Sequence, residues 1–394
     1  LKKQIHKEGL LMYNILTLNK ISASGLANFD AEKYVCGDDL EEPIAAIVRS
    51  ASLHDVELPE SLIAIARAGA GVNNIPIDDC TEKGIVVFNT PGANANAVKE
   101  LAVCGLLLAS RRIVPAIDWA KTLKGGGDDV LKQVEKGKSN FVGPEIAGKT
   151  LGIVGMGAIG KLVADAAIKL GMSVVAYDIC EDEEAKAIIT KGEVTCDVSD
   201  VFEKSDYISL HCPSVSATKN MINSESLAKC RDGVRILNFA RGDLVNTSDI
   251  LAGIKSGKVV AYVTDFPDDE MLGVDGVIAI PHLGASTPES EENCAVMAVN
   301  QLADFIENGN IKNSVNFPNV SLERSDKYRV CVMASKDIGV KIADILGNVT
   351  ASAYDFNKNF YGIFDVAEFD TDVDSSVLNK IADLEGVFGI RVIC

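Results

Sequence analysis

Arg241, the acidic run from Asp265 to Glu270, and His282 each meet the end of an apolar, strand-like stretch: RILNFA at 235–240, VVAYVTD at 259–265 and GVIAIP at 276–281. Ligands meet a parallel α/β sheet at its strand ends, so the three groups can converge on one molecule. A guanidinium holds a carboxylate through paired hydrogen bonds and polarises a neighbouring carbonyl. An imidazole exchanges a proton near neutral pH, and a carboxylate behind it raises its basicity and selects its tautomer. These are the requirements for moving a hydride to or from a hydroxyl-bearing carbon beside a carboxylate. Taken singly, Arg241 with Glu270 reads as an ordinary ion pair and His282 as a loop histidine. The chain has four histidines, at 6, 54, 211 and 282. His211 ends the run YISLH and reads as structural, or as lining a cleft next to Cys212 and Pro213; His54 reads as a surface residue. So few histidines argue against a histidine-rich metal site, and no metal is expected.

Gly155-Met156-Gly157-Ala158-Ile159-Gly160 lies between the strand-like TLGIVG at 150–155 and a helical pattern from Lys161 to Leu170. Glycines at these spacings allow a tight turn and let a pyrophosphate approach the backbone, while the helix N-terminus favours its charge. Asp178 closes the next strand, 18 residues after Gly160, where a carboxylate can accept hydrogen bonds from an adenosine ribose. Neither Ile179 nor Cys180 is basic, so no cation stands ready for a 2′-phosphate and the pattern favours NAD over NADP.

Groups at strand ends need a sheet to hold them. Short apolar runs at 44–50, 62–68, 85–89, 150–155, 173–178, 207–211, 235–240, 259–265 and 276–281 alternate with helical patterns, which predicts parallel sheets covered on both faces. Val98, Leu101, Ala102, Cys104, Gly105 and Leu108 keep one face apolar and predict a single helix from Asn94 to about Lys121. Ser286-Thr287-Pro288-Glu289 opens a second long helix to about Asn308, with a hydroxyl cap, proline in the first turn and acids near the positive end of the dipole. Pro318 to Asp326 reads as a linker. Beyond it the order is strand, helix, two strands, helix, strand, a small α+β unit of ferredoxin-like type. The expected fold class is therefore α/β, with two doubly wound, Rossmann-like parallel sheets followed by this α+β domain.

At 394 residues there is room for two or three domains, and 47% hydrophobic with 24% charged residues is the balance of a globular rather than a disordered chain. The formal charge of −18 argues against nucleic acid or anionic membranes as partners, and means that an anionic substrate needs a local basic pocket. The longest apolar stretch, Leu101 to Ala109, is far short of a membrane span. Ten cysteines without a C-x-x-C pair, and no secretory pattern at the start, are read as reduced thiols in a cytoplasmic protein. Residues 1–11 precede the first strand-like run, Tyr13 to Leu18.

The motifs IVRSAS (47–52), ARAGAGVNNIPID (66–78), KGIVVFNTPGANANAVKELA (83–102), GKTLGIVGMGAIG (148–160), NFARGDLVN (238–246) and PHLGAST (281–287) resemble the D-isomer-specific 2-hydroxyacid dehydrogenase family. The resemblance covers nearly the whole chain. It implies a substrate domain in two pieces, 12–103 and 287–317, around a nucleotide domain at 104–286, with the α+β unit at 327–394. It also implies NAD-dependent chemistry on a small 2-hydroxy acid. Arg241 would bind the substrate carboxylate and carbonyl, His282 would give or take the proton, and Glu270 would be its partner. Asp265 would lie by the nicotinamide ribose or carboxamide, and Cys212, Pro213, Phe239, Ala240, Gly284 and Ala285 would line the cofactor.

In the family's phosphoglycerate branch two arginines approach the substrate, here Arg49 and Arg67, with Gly71, Val72 and Asn73 in the same loop. That branch implies oxidation of 3-phospho-D-glycerate to 3-phosphohydroxypyruvate, the first step of L-serine synthesis, by a homodimer or homotetramer. Glyoxylate, hydroxypyruvate or D-lactate are the alternative substrates, and a non-enzymatic NAD(H)-sensing interaction protein is the rival of another class. The chain departs from the family's usual D-V-F-x-x-E-P stretch, reading Asp265-Phe266-Pro267-Asp268-Asp269-Glu270-Met271, so Asp268 or Asp269 could replace Glu270. The C-terminal unit is similar to an ACT domain, which implies an amino-acid effector such as serine or a dimerisation role. Ile338-Gly339 stands where that family carries Pro-Gly, which weighs against serine.

Overall fold

In a computed structural model, residues 5–7, 12–179, 183–325, 327–335, 338, 342, 344–345 and 353–393 are described. Ile338 is among them, whereas Cys180, Asp337, Gly339 and most of the helix expected from Asp337 to Leu346 lie outside. The chain divides into two compact units, 95–287 and the pair 1–94 with 288–394.

In the inserted unit seven parallel strands run in the order Val277–Ala279, Val259–Thr264, Val234–Asn238, Tyr207–Leu210, Thr150–Val154, Ser173–Tyr177, Gly192–Thr195. Alternate residues serve opposite cores. Leu151, Ile153, Val174 and Leu237 face one, and Val154, Val175, Ile208 and Ile236 the other, so a run apolar at every position is what this sheet requires. Chain order reverses direction between Thr150–Val154 and Tyr207–Leu210, which makes a switch point where ligands bind such sheets. Strand Gly192–Thr195 escapes the apolar-run criterion because its first two residues are exposed.

The single helix expected from 94 to 121 is two helices, Ala95–Arg111 and Ile113–Thr122, broken at Arg112 in a left-handed conformation (φ +46°). Pro115 is the third residue of the second helix and has no N–H to give the Arg111 carbonyl, so the turn cannot run through. The inserted unit also starts at 95 rather than 104. Val98, Ala102, Leu106 and Ala109 of the first helix are buried in its core, so the whole helix belongs there.

The other unit holds a parallel sheet ordered Tyr34–Gly37, Tyr13–Leu18, Ala45–Val48, Ala64–Arg67, Val86–Phe88. Helix Pro288–Asn308 covers one face through Cys294, Ala298, Val299, Leu302 and Phe305. The last part of the chain forms a second sheet ordered Ile5–Lys7, Val387–Ile393, Tyr328–Ala334, Ile363–Phe369, Ala353–Lys358. Its order and pairing match the ferredoxin-like expectation, with the short strand Ile5–Lys7 added in parallel at one edge.

This α+β segment does not stand apart behind a linker. Val330, Val332 and Ala367 face helix Ser375–Ala382 in a core of its own, whereas Cys331, Met333, Phe364, Val366 and Ile393 share a core with Phe88, Phe305 and Phe317. Two arginines, both wholly buried, join the surfaces. Arg391 donates to the carbonyls of Phe305 and Ile306 at 2.8 and 3.0 Å, its guanidinium 4.4 Å above the Phe305 ring. Arg329 donates to the Asn308 carbonyl and pairs with Glu368 at 2.6 Å. Helix Pro288–Asn308 thus ends on two cations, which satisfy its last carbonyls and suit its negative pole.

Candidate active site

The nucleotide fingerprint is built as its residue types demand. Gly155 has φ +97°, and a Cβ there would stand 2.8 Å from the His211 carbonyl carbon; one at Gly160 would stand 2.0 Å from the Gly155 oxygen. At Gly157, which precedes helix Ala158–Lys169, a Cβ would meet nothing within 4 Å. That combination is a cradle: tight beneath, open above, with the first N–H groups of Ala158 and Ile159 at the helix start, as a pyrophosphate requires. Asp178 accepts from the Met156 and Ile179 N–H groups, each at 2.7 Å, so its carboxylate is held against the same loop. Replacing Asp178 by serine is expected to raise KM for NAD about 10-fold or more and to narrow the preference over NADP. Initial rates with both cofactors test this, and an unchanged preference would remove Asp178 from ribose recognition.

Around the cradle, His211 bonds Ser209 at 2.8 Å, and burial pushes its imidazole down to about 4, so it is neutral at pH 7. Cys212 is half-buried with its sulfur 3.7 Å from that of Met221, and burial pushes its thiol up to about 11. Neither group is primed for proton or nucleophile chemistry, which suits a wall. Pro213 follows directly. Phe239 is buried, and the Ala240 N–H donates to Asn238 at 3.2 Å.

Arg241, Asp265 and His282 follow three neighbouring strands, Val234–Asn238, Val259–Thr264 and Val277–Ala279. Asp265 is 1% exposed and accepts from the Gly284 N–H at 3.0 Å, which ties the His282 loop to the strand beside it. Burial pushes the Asp265 carboxyl up, opposed by the Gly284 N–H and the charge of His282. Arg241 is exposed, with one guanidinium nitrogen on the Ala240 carbonyl at 2.6 Å, and Ala285 is half-buried.

Glu270 is exposed and forms no hydrogen bond or ion pair with His282 among the described residues. Asp269 is likewise exposed. Asp268 is engaged elsewhere, accepting from the Thr247 hydroxyl at 2.6 Å and the Met271 N–H at 3.1 Å, where it shapes the turn.

In the other unit, Arg49 pairs with Glu291 at 2.7 Å. Arg67 closes strand Ala64–Arg67 and lies across Gly69, where any Cβ would overlap its guanidinium. Gly71 and Val72 are half-buried and Asn73 is exposed, its carbonyl 3.0 Å from His54 Nε2, so His54, exposed as expected, braces the loop at 71–73. Sequence reasoning missed this brace, the Glu291 pairing and the packing of Phe266 on His282. Only the last left a local trace, an aromatic side chain directly after Asp265.

Residues 105–284 match the NAD binding domain of the D-isomer specific 2-hydroxyacid dehydrogenases. The hydroxypyruvate reductase of Thermotoga maritima is 38% identical over 268 residues, 65% of this chain and 82% of that protein. The chain belongs to the D-isomer specific 2-hydroxyacid dehydrogenases. A D-3-phosphoglycerate dehydrogenase of Methanocaldococcus jannaschii is 32% identical over 310 residues, 77% of this chain but 55% of that one, so this chain spans about half the length of that relative. Among solved structures, NAD+-bound 3-phosphoglycerate dehydrogenase of Entamoeba histolytica aligns over 78% of this chain and 99% of its own, with 25% identity and a TM-score of 0.60. D-mandelate dehydrogenase of Rhodotorula graminis shares the fold, with a TM-score of 0.66 at 22% identity over 80% of this chain and 100% of its own. NAD is the cofactor of this dehydrogenase. Among the described residues no helix is long and apolar enough to cross a membrane.

Proposed function

We propose that this dehydrogenase oxidises 3-phospho-D-glycerate at C2 to 3-phosphohydroxypyruvate, the reaction that opens L-serine synthesis. The observation that carries the reading is the pair Arg49 and Arg67, two guanidinium groups on one sheet of a protein with net charge −18. Their register places them at the same end of neighbouring strands, since Val48 pairs with Arg67 and Arg49 follows Val48. A phosphate dianion is the substrate feature that needs them. Glu291 holds Arg49 meanwhile, and the substrate phosphate competes for the same donors.

NAD supplies the hydride acceptor when bound. His282 takes the proton of the C2 hydroxyl, and Arg241 binds the carboxylate while polarising the oxygen that becomes the ketone. Asp265, through the Gly284 N–H, keeps the His282 loop in place and supplies negative charge beside the imidazole as it becomes positive. In the reverse direction the same imidazole returns the proton.

The test compares NADH oxidation with 3-phosphohydroxypyruvate, hydroxypyruvate, glyoxylate and pyruvate. A preference for the phosphorylated ketoacid of about 100-fold or more, ~2.7 kcal/mol in transition-state binding, is expected. Arg49→Ala should raise KM for that substrate far more than for hydroxypyruvate. Equal effects would remove Arg49 from the phosphate site. A second reading, reduction of hydroxypyruvate itself, is favoured by the 38% identity to the Thermotoga maritima reductase, and equal or better use of the unphosphorylated acid would select it.

A further inference from the structure

The imidazole of His282 is exposed, and among the described residues neither ring nitrogen is hydrogen-bonded. An imidazole so placed turns freely about its two side-chain torsions, whereas proton transfer needs one nitrogen aimed at one oxygen. One side chain restrains it. The ring of Phe266 lies 4.7 Å from that of His282, centroid to centroid, with the planes at 53°. This tilted contact suits an aromatic pair and also suits a cationic imidazolium against the electron-rich phenyl face.

Phe266 is itself fixed. Its N–H donates to the Thr264 hydroxyl at 3.0 Å, and Thr264 is wholly buried in strand Val259–Thr264. On another side the backbone of Gly242 comes so close that a Cβ there would stand 3.2 Å from Phe266 Cβ. Glu270, by contrast, is exposed and makes no bond to His282 among the described residues.

We infer that Phe266 is a positioning residue for the reaction, holding the His282 imidazole at the tilt from which it accepts the hydroxyl proton. The inference rests on the proton role of His282 given above. It assigns the loss on removal to turnover rather than to substrate or cofactor binding.

The test uses the full chain with Phe266→Leu, Phe266→Tyr and His282→Asn side by side. Phe266→Leu should lower kcat about 10-fold, leave KM for NADH and ketoacid within about 2-fold, and be largely rescued in Phe266→Tyr, which keeps the ring. Independently of activity, NMR of histidine-labelled protein should show the His282 ring signals displaced in Phe266→Leu and near their original positions in Phe266→Tyr; the other three histidines serve as internal controls. An unchanged kcat, a rise confined to KM for NADH, or equal losses in the leucine and tyrosine variants would overturn the positioning role. The same holds if the His282 signals do not move. Full turnover by His282→Asn would instead remove the proton role itself, and the ring displacement would tell that failure apart from a missing contact.

Discussion

Replacing His282 by asparagine is expected to lower kcat about 10²- to 10⁴-fold, the usual contribution of a positioned general base. Asparagine retains a polar side chain but cannot take up a proton near neutral pH. The loss should fall on turnover. Asp265 still accepts the Gly284 N–H, and the Gly155 to Gly160 cradle with Asp178 is untouched, so NADH affinity should stay within a few-fold. Steady-state rates of ketoacid reduction and a fluorescence titration with NADH separate the two quantities. Glu270→Gln belongs in the same experiment. Because Glu270 makes no bond to His282 in this structure, a loss approaching that of His282→Asn would mean that the turn from 266 to 271 rearranges during the reaction. A His282→Asn variant within tenfold of the parent would remove this residue from proton transfer.

Arg329→Met is expected to destabilise the unit made by 1–94 and 288–394 by about 3 kcal/mol, the lower end of the cost of breaking a buried pair, since Arg324 still stands 3.8 Å from the Glu368 carboxylate. Glu368 is 1% exposed, and the carbonyls of Asn308 and Glu323 would lose a donor with it. Burial pushes the Glu368 carboxyl up, but the Ser325 hydroxyl and the Arg329 guanidinium together hold it below the ordinary carboxylate range. Its folded value is lower than its unfolded one. The pair therefore contributes stability above the unfolded value, about 4.3, and loses it as pH falls through the folded value. In Arg329→Met the carboxylate keeps only Arg324, 3.8 Å away, as a cation, so protonation relieves part of the strain on it. The deficit measured by urea denaturation should be largest near pH 7 and smaller near pH 4. The double variant Arg329→Met with Glu368→Leu should recover much of the loss, since an apolar pair leaves no stranded charge. A single variant as stable as the parent would mean that water reaches Glu368.

Several features were legible because they are encoded within one turn or one strand. A run such as TLGIV at 150–154 must be covered on both faces whatever surrounds it, and the spacing of Gly155, Gly157 and Gly160 between that strand and a helix has a local steric meaning. The same holds for the four strands and the helix from Ser375 near the C-terminus, and for Arg241, Asp265 and His282 as residues at strand ends. Arg329 and Arg391 lie on one face of their sheet, where arginine ordinarily meets water. They are wholly buried because the carbonyls that end helix Pro288–Asn308, more than twenty residues earlier in the chain, come to lie over that face.

Amino-acid types and their short-range spacing by themselves determined the parallel sheets and the dinucleotide fingerprint, and singled out Arg241, Asp265 and His282 as residues at strand ends. Tertiary structure decided what those side chains touch. It placed Asp268 in a turn, Asp265 beneath the His282 loop, Glu291 on Arg49 and the ring of Phe266 against His282. The physical reason is one of range. Backbone preference and burial pattern act over a few residues, whereas a hydrogen bond, an ion pair or a ring contact is set by which distant segments the packed core brings within about 3 to 5 Å.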